Sequence, residues 1–370
     1  MTDALLIVAG EVSGDLHAGN LLAELRALRP ELAAFGVGGD RLAESGLECL
    51  ASIDELAHMG LMEVVRELPR IRRIMAGLVA EAARRRPRLA VLVDSPDFNL
   101  RLAARLDRLG VPVVLYVSPQ LWAWRRGRVR QVRKLAREVL CLLPFEVGFY
   151  HHHGVAAQYV GHPLVDDVAR DGLLGASIAA SPGRLALLPG SRAMEVRHLL
   201  PAMLQGLASM PQDRISEAIL IEAPGVGKVV DEVLAVAVRD DRLRRVRGSR
   251  RRLELAASEI AWTASGTATL ECALLDVPMV VGYRLQPLSF ALARLLVRVP
   301  HVALANLIAG ERAAPELLQN DWRGERLVEV THTVLADAGV RQRAALGVVR
   351  DRLGDPGASR RAAEAVLEHL

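Results

Sequence analysis

Ile260-Ala-Trp-Thr-Ala-Ser-Gly-Thr-Ala-Thr-Leu-Glu271 decides how the rest of the chain is read. An apolar run there leads into a turn of small residues and then into helical spacing, the strand-turn-helix join of an α/β domain. Ser265, Gly266 and Thr267 are small enough to let backbone N–H groups approach a ligand. The helix they open, about 267–275, directs its positive dipole end and unpaired N–H groups at whatever sits there, so an anion such as a diphosphate fits. Glu271 follows Thr267 at i+4 on the same helix face, within reach of a ribose hydroxyl. A plain capped helix, with Thr267 as cap and Glu271 complementing the dipole, explains the same spacing equally well.

Around this join stand 370 residues, too many for one ordinary domain and enough for two of about 150 residues each. Hydrophobic residues make up 51% of the chain but aromatic ones only 4%, so the core is expected to be aliphatic, as in helices layered on sheets. Cys49, Cys141 and Cys272 are odd in number and widely spaced, which points to a reducing compartment. The apolar run 4–9 is too short for a signal-peptide core, and no stretch reaches the ~18 apolar residues of a spanning helix. A cytoplasmic protein is expected. The net charge of +4 comes from 47 Lys+Arg against 43 Asp+Glu, concentrated near 66–73, 84–88, 125–134 and 242–252. Scarce aromatics and the lack of any helix-turn-helix, zinc or RNA-binding signature argue against nucleic acid and leave phosphorylated ligands or an anionic membrane surface.

The strand-turn-helix pattern recurs along the chain. Leu5–Ala9 runs into Gly10-Glu-Val-Ser-Gly-Asp15 and then into helical spacing through Leu28; Gly36-Val-Gly-Gly39 is a second glycine turn, and neither carries G-x-G-x-x-G. Leu89-Ala-Val-Leu-Val-Asp94 reads as a buried strand ending in an acid, followed by Asp97 as N-cap of a helix over 98–109. Asp94, left without a structural duty, is a candidate general base, although a bond to a neighbouring loop explains it about as well. Strands over 112–117 and 138–143 flank Ser118-Pro-Gln-Leu-Trp-Ala-Trp-Arg125, where Trp122 and Trp124 either cap the core or wall an amphiphilic ligand site. His151-His-His153 lacks partners at metal-ligand spacing, so no metal is expected. After Gly161-His-Pro163 a second βα series begins: strands at 185–188, 218–222 and 278–284, turns at Pro189-Gly-Ser-Arg192 and Pro224-Gly-Val-Gly-Lys228, and closing helices over 286–298, 322–338 and 340–368. Pro224–Lys228 is half of a Walker A loop without its frame, which excludes an ATPase of that kind.

Together GEVSGD (10–15), DSPDF (94–98), YVSPQLWAWR (116–125), LPFE (143–146), GHPL (161–164), LLPGSR with EV (187–196), ASGTATLE (264–271), PMVVGYR (278–284) and ANLIAG (305–310) resemble the lipid-A-disaccharide synthases, inverting glycosyltransferases of the GT-B fold. The resemblance implies two Rossmann-like domains facing across a cleft: 1–163 for the acceptor and 184–340 for the UDP-sugar, with 341–370 crossing back to the first. It implies transfer of diacylglucosamine from UDP-2,3-diacylglucosamine to the 6-hydroxyl of 2,3-diacylglucosamine 1-phosphate, giving a β(1→6) disaccharide and UDP, with no cofactor and no metal. The same fold hosts UDP-N-acetylglucosamine 2-epimerases, and a non-catalytic nucleotide- or lipid-binding module is the remaining rival.

Carried onto this chain, the resemblance makes Asp94 the base. Arg192, Ser265, Gly266, Thr267, Glu271, Tyr283 and Arg284 are expected to hold the nucleotide, and Glu11, Ser13, Gly14, Asp15, Trp122 and Trp124 the acceptor. Acylated substrates also bring the inner membrane surface into play. Met59, Leu61, Met62, Val64, Val65, Leu68, Ile71, Ile74 and Met75 are expected to offer apolar surface there, and Arg66, Arg70, Arg72 and Arg73 to meet anionic headgroups, as a peripheral attachment. The competing reading is an amphipathic helix packed on its own sheet. A homodimer through the carboxyl-terminal helices is a further expectation.

Overall fold

The computed structural model describes residues 4–53, 55, 64–286, 290 and 299–370, which form two α/β units: 1–163 with 355–370, and 164–354. The first contains a parallel sheet of seven strands in the order β3-β2-β1-β4-β5-β6-β7. These are β1 (Ala4–Ala9), β2 (Ala33–Gly38), β3 (Glu48–Ser52), β4 (Leu89–Val93), β5 (Val113–Tyr116), β6 (Glu138–Cys141) and β7 (Ala157–Tyr159). Central β1 and β4 are unbroken aliphatic runs because helices cover both faces of a parallel sheet; Leu5 to Ala9 and Leu89 to Val93 are buried throughout. Met75 and Leu78 of the Val64–Arg85 helix, and Ala362, Ala363 and Val366 of the last helix, Ala358–Leu367, join the same core.

The second unit contains six parallel strands in the order β10-β9-β8-β11-β12-β13. They are β8 (Ser181–Leu188), β9 (Glu217–Ile221), β10 (Leu243–Val246), β11 (Ser258–Ala264), β12 (Met279–Tyr283) and β13 (Glu316–Leu318). Strand order reverses between β8 and β11, the switch point where ligands of such sheets bind. Two tryptophans anchor this core, each with its N–H satisfied: Trp262 donates to Thr331 Oγ1 at 2.8 Å and Trp322 to the Leu199 carbonyl at 3.0 Å.

Several expectations change. The second unit begins at 164, not 184, because the Pro163–Arg170 helix runs on into it. The segment that returns to the first unit is 355–370, not 341–370. The Val340–Leu353 helix stays in the second unit, where the Gln342 amide exchanges two 2.9 Å bonds with the Met279 backbone and Arg350 bonds Asp276 at 2.8 Å. Residues 36–38 end β2, so only Gly39 of the second glycine motif is in the turn. Ser95, not Asp97, occupies the N-cap of the Pro96–Asp107 helix, and Asp97 pairs instead with Arg125 at 3.2 Å and Arg128 at 2.6 Å. The expected 286–298 helix falls almost wholly outside the described residues.

Candidate active site

Three turns meet at the carboxyl ends of β8, β11 and β12. Their side chains, Arg192, Ser265, Tyr283 and Arg284, line one cavity of about 270 Å³ together with Glu195 and His198. The first turn ends in a capping box: Glu195 Oε2 accepts the N–H groups of Ser191 (3.0 Å) and Arg192 (3.2 Å) at the start of the Ala193–Ser209 helix. Arg192 keeps its side chain 80% exposed, leaning on Glu195 at 3.2 Å, so a guanidinium on a fixed backbone faces an open site. Arg284 is exposed too, and the segment after it is held by Gln319, whose amide exchanges bonds of 2.7 and 3.0 Å with the Leu285 backbone. Glu195 and His198 were not among the sequence expectations, although Arg192-x-x-Glu195 has the spacing of a capping box.

The Ser265–Glu271 stretch differs in detail from its reading. Gly266, not Thr267, precedes the Thr267–Leu274 helix, at φ 134° and ψ −153°, a conformation open essentially to glycine alone. Thr267 is an exposed first helical residue, while Thr269 Oγ1 donates to the Gly266 carbonyl at 2.7 Å. Ser265 is spent structurally: its N–H donates to Gly282 O at 3.0 Å and its hydroxyl to Val302 O at 2.8 Å. That leaves the N–H groups following it, at the helix start, as donors for an anion. Gly266, Thr267 and Glu271 do not line the 270 Å³ cavity. Glu271 Oε1 is held by Arg252 Nε at 2.7 Å, and Arg252 also reaches Asp171 at 2.6 Å. A second cavity of about 490 Å³, lined by Gly225, Arg247, Gly248, Ser249, Arg251 and Arg252, adjoins that pair. The basic stretch 242–252 is largely neutralised within the unit, Arg244 by Glu217 and Glu254 and Arg245 by Glu222 and Asp231.

In the first unit, β1 and β4 are neighbours, which brings GEVSGD and DSPDF together from opposite ends of a long stretch of chain. Asp94 and Ser95 are both left-handed, at φ 54° and 43°, though neither is glycine. Such strain, about 1–3 kcal/mol per residue, persists where surrounding structure over-determines it and concentrates at functional sites. The glycine turn makes room: a Cβ on Gly10 would lie 2.3 Å from that of Ser95, and one on Gly14 would lie 3.4 Å from that of Asp94. Half-buried Asp94 accepts the Ser95 N–H at 2.8 Å through Oδ1 and the Ser13 hydroxyl at 3.5 Å through Oδ2. Glu11 and Ser13 are exposed beside it.

Two of the expected acceptor residues do other work. Asp15 is buried and accepts the N–H groups of Gly39 (2.6 Å), Arg41 (3.0 Å) and Leu42 (3.3 Å), capping the Asp40–Glu44 helix with both oxygens. Trp122 is buried, packs edge-on against Phe145 and donates to Glu146 Oε1 at 2.9 Å. Trp124 is the exposed ring, 38% accessible, with the Arg125 guanidinium 4.2 Å from its centre. Burial pushes the Glu146 carboxyl up to about 7, against the pull of its bonds from Trp122 and the Leu143 N–H. The histidine run binds backbone, His151 to Ala157 O and His153 to Phe149 O, and no cluster of potential metal ligands occurs among the described residues.

Of the proposed membrane segment, Met59, Leu61 and Met62 lie outside the described residues. Ile71 and Ile74 pack against the first unit's core and Met75 is buried in it, so these three face the protein rather than a bilayer. Arg72 and Arg73 are exposed and Arg70 stands 3.8 Å from Glu55. No helix among the described residues is long and apolar enough to cross a membrane.

Comparison with known proteins bears on all of this. Among solved structures, the chain superposes on a UDP-GlcNAc 2-epimerase from Neisseria meningitidis bound to UDP-GlcNAc with a TM-score of 0.65, at 11% identity over 99% of this chain and 100% of that one. On the calicheamicin glycosyltransferase CalG4 the TM-score is 0.61, at 15% identity over 99% and 98%. At such identities the likeness establishes the GT-B fold alone. Curated lipid-A-disaccharide synthases are much closer in sequence: that of Anaeromyxobacter dehalogenans is 46% identical and that of Myxococcus xanthus 44%, each over 99% of this chain and 97% of the relative. The family described as lipid-A-disaccharide synthetase matches residues 5–352, and with relatives this similar along their whole length the chain belongs to that family of glycosyltransferases, which make the lipid A disaccharide.

Proposed function

We propose that the enzyme moves diacylglucosamine from UDP-2,3-diacylglucosamine to the 6-hydroxyl of 2,3-diacylglucosamine 1-phosphate. The observation that carries the reading is the convergence of Arg192, after β8, and of Tyr283 and Arg284, at the end of β12, on one cavity beside a helix start. The donor diphosphate lies there, and the Arg252–Glu271 pair presents the carboxylate's second oxygen to the ribose while the adjoining 490 Å³ cavity takes the base. In the first unit the acceptor lies along Glu11, Ser13, Gly14 and Trp124, and Asp94 is the base. Asp94 takes the proton of the 6-hydroxyl, the freed oxygen forms the new bond at the donor's C1, and the C1–oxygen bond to UDP breaks with inversion to the β-linkage. Arg192, Arg284 and the helix-start N–H groups stabilise the diphosphate charge as it develops.

Both substrates carry acyl chains, so we also place the enzyme peripherally on the inner face of the inner membrane. Exposed Arg72 and Arg73, with Arg70 beside them, support attachment through anionic headgroups, each worth up to about 1 kcal/mol. Incubating the purified protein with both acylated sugars tests the reaction: a disaccharide 1-phosphate and an equal amount of UDP are expected. UDP-N-acetylglucosamine epimerised at C2 with no disaccharide formed, or no turnover of either kind, overturns it.

A further inference from the structure

We propose that Asn99 is the positioning residue of Asp94. This rests on the reading of Asp94 as the base and adds what holds it in place. Asn99 lies in the first turn of the Pro96–Asp107 helix, 1% exposed, directly behind the left-handed pair Asp94–Ser95. Its Nδ2 donates to the carbonyl of Val93 at 3.1 Å and to that of Asp94 at 2.8 Å. Both neighbours are acceptors, so only the NH2 side of the amide can face them, and the network itself sets the orientation of the group. These bonds grip the peptide units on either side of the Asp94 α-carbon. That is where the backbone must be held for a non-glycine residue to stay left-handed.

The other end of the amide points to the same role. Oδ1 of Asn99 is buried with no hydrogen-bond partner, a cost that an aliphatic residue would avoid. The fold accepts it for the two donated bonds. Helix capping does not require them, because the Ser95 carbonyl already accepts the N–H groups of Phe98 (3.2 Å) and Asn99 (3.0 Å). Without Asn99 the turn relaxes towards extended backbone and the carboxylate swings away from the Ser13 side of the site.

The test is a double-mutant cycle on the full chain, measuring kcat and KM with both acylated sugars and UDP affinity by calorimetry. Asn99→Ala is expected to lower kcat by about tenfold to a hundredfold, because misplacing a reacting group by an ångström costs that much, while UDP affinity changes by less than about twofold. In an Asp94→Asn background the same substitution is expected to change the residual kcat by less than about twofold. Asn99→Asp, of the same size but a carboxylate against two carbonyls, is expected to be at least as slow as Asn99→Ala. Asn99→Ser, which keeps one donor, replaces Asn99→Ala in the cycle if the latter does not fold. A single variant with wild-type kcat, or equal losses in both backgrounds, overturns the positioning role. More than about a tenth of wild-type turnover in Asp94→Asn alone shows instead that the base is misassigned.

Discussion

Arg252 meets Glu271 at 2.7 Å, Nε to Oε1, with each side chain only 13% exposed. Arg252 also holds Asp171 at 2.6 Å, so removing it strands carboxylates of which Glu271 is the more enclosed. Arg252→Ala is therefore expected to cost about 1–3 kcal/mol and to weaken UDP binding, while Glu271→Gln, which keeps an acceptor, costs less in stability. Thermal melts with and without UDP report both effects; an unchanged melting temperature in Arg252→Ala contradicts the role given to the pair.

Asp94→Asn preserves size and removes the carboxylate proposed as the base. We expect turnover to fall by about 10²–10⁴-fold with UDP affinity unchanged. Retention of more than about a tenth of wild-type turnover in the purified variant removes Asp94 from the chemistry.

Arg192 is 80% exposed and its ion pair with Glu195 is on the surface, so Arg192→Ala is expected to leave stability within about 0.5 kcal/mol of wild type. Its loss is felt in binding and transfer instead. Calorimetry is expected to give weaker UDP binding in Arg192→Ala, and unaltered affinity there and in Arg284→Ala together places the diphosphate elsewhere.

Glu146 carries a pH dependence whose sign follows from its burial. Its carboxyl stands at about 7 in the folded protein against 4.5 for an ordinary glutamate, so the folded state binds this proton more tightly than the unfolded one. The resulting stability is complete below about 4.5 and lost as pH rises through about 7, a change on the order of a few kcal/mol. Glu146→Gln lacks this titration. Urea midpoints at pH 5 and pH 8 are expected to fall for wild type relative to the variant, and a gap that stays constant across that range shows the carboxylate is already charged at pH 5.

Liposome flotation tests the membrane contact. Wild type is expected to float with anionic vesicles at low salt and to be released at high salt, since exposed charges are screened within a Debye length of about 10 Å at 0.1 M. Changing Arg70, Arg72 and Arg73 together to Glu is expected to abolish binding. Equal flotation of both proteins rules these arginines out.

What the sequence determined by itself is what local pattern can carry: two βα series, the central strands as unbroken aliphatic runs, and the motifs that mark the family. Each such strand is buried on both faces, so its residues are aliphatic wherever they are read. The edge strands β3, β7, β10 and β13 escaped that reading for the opposite reason. Each has one ladder and an open side, and β10, Leu-Arg-Arg-Val, stabilises its arginines by ion pairs with Glu217 and Glu222 that leave no apolar run to see. The candidate site divided the same way. Asp94, Arg192, Tyr283 and Arg284 stood out at strand ends and in motifs. That Asp15 is a cap, that Trp122 is sealed against Glu146, that Arg252 holds Glu271 and that Asn99 grips the Asp94 turn were decided only by tertiary structure. Except for Asn99, their partners lie 19 or more positions away, where no period of 2 or 3.6 residues links them. Asn99 is close in sequence to Asp94, but its role depends on a left-handed backbone that no side-chain pattern encodes.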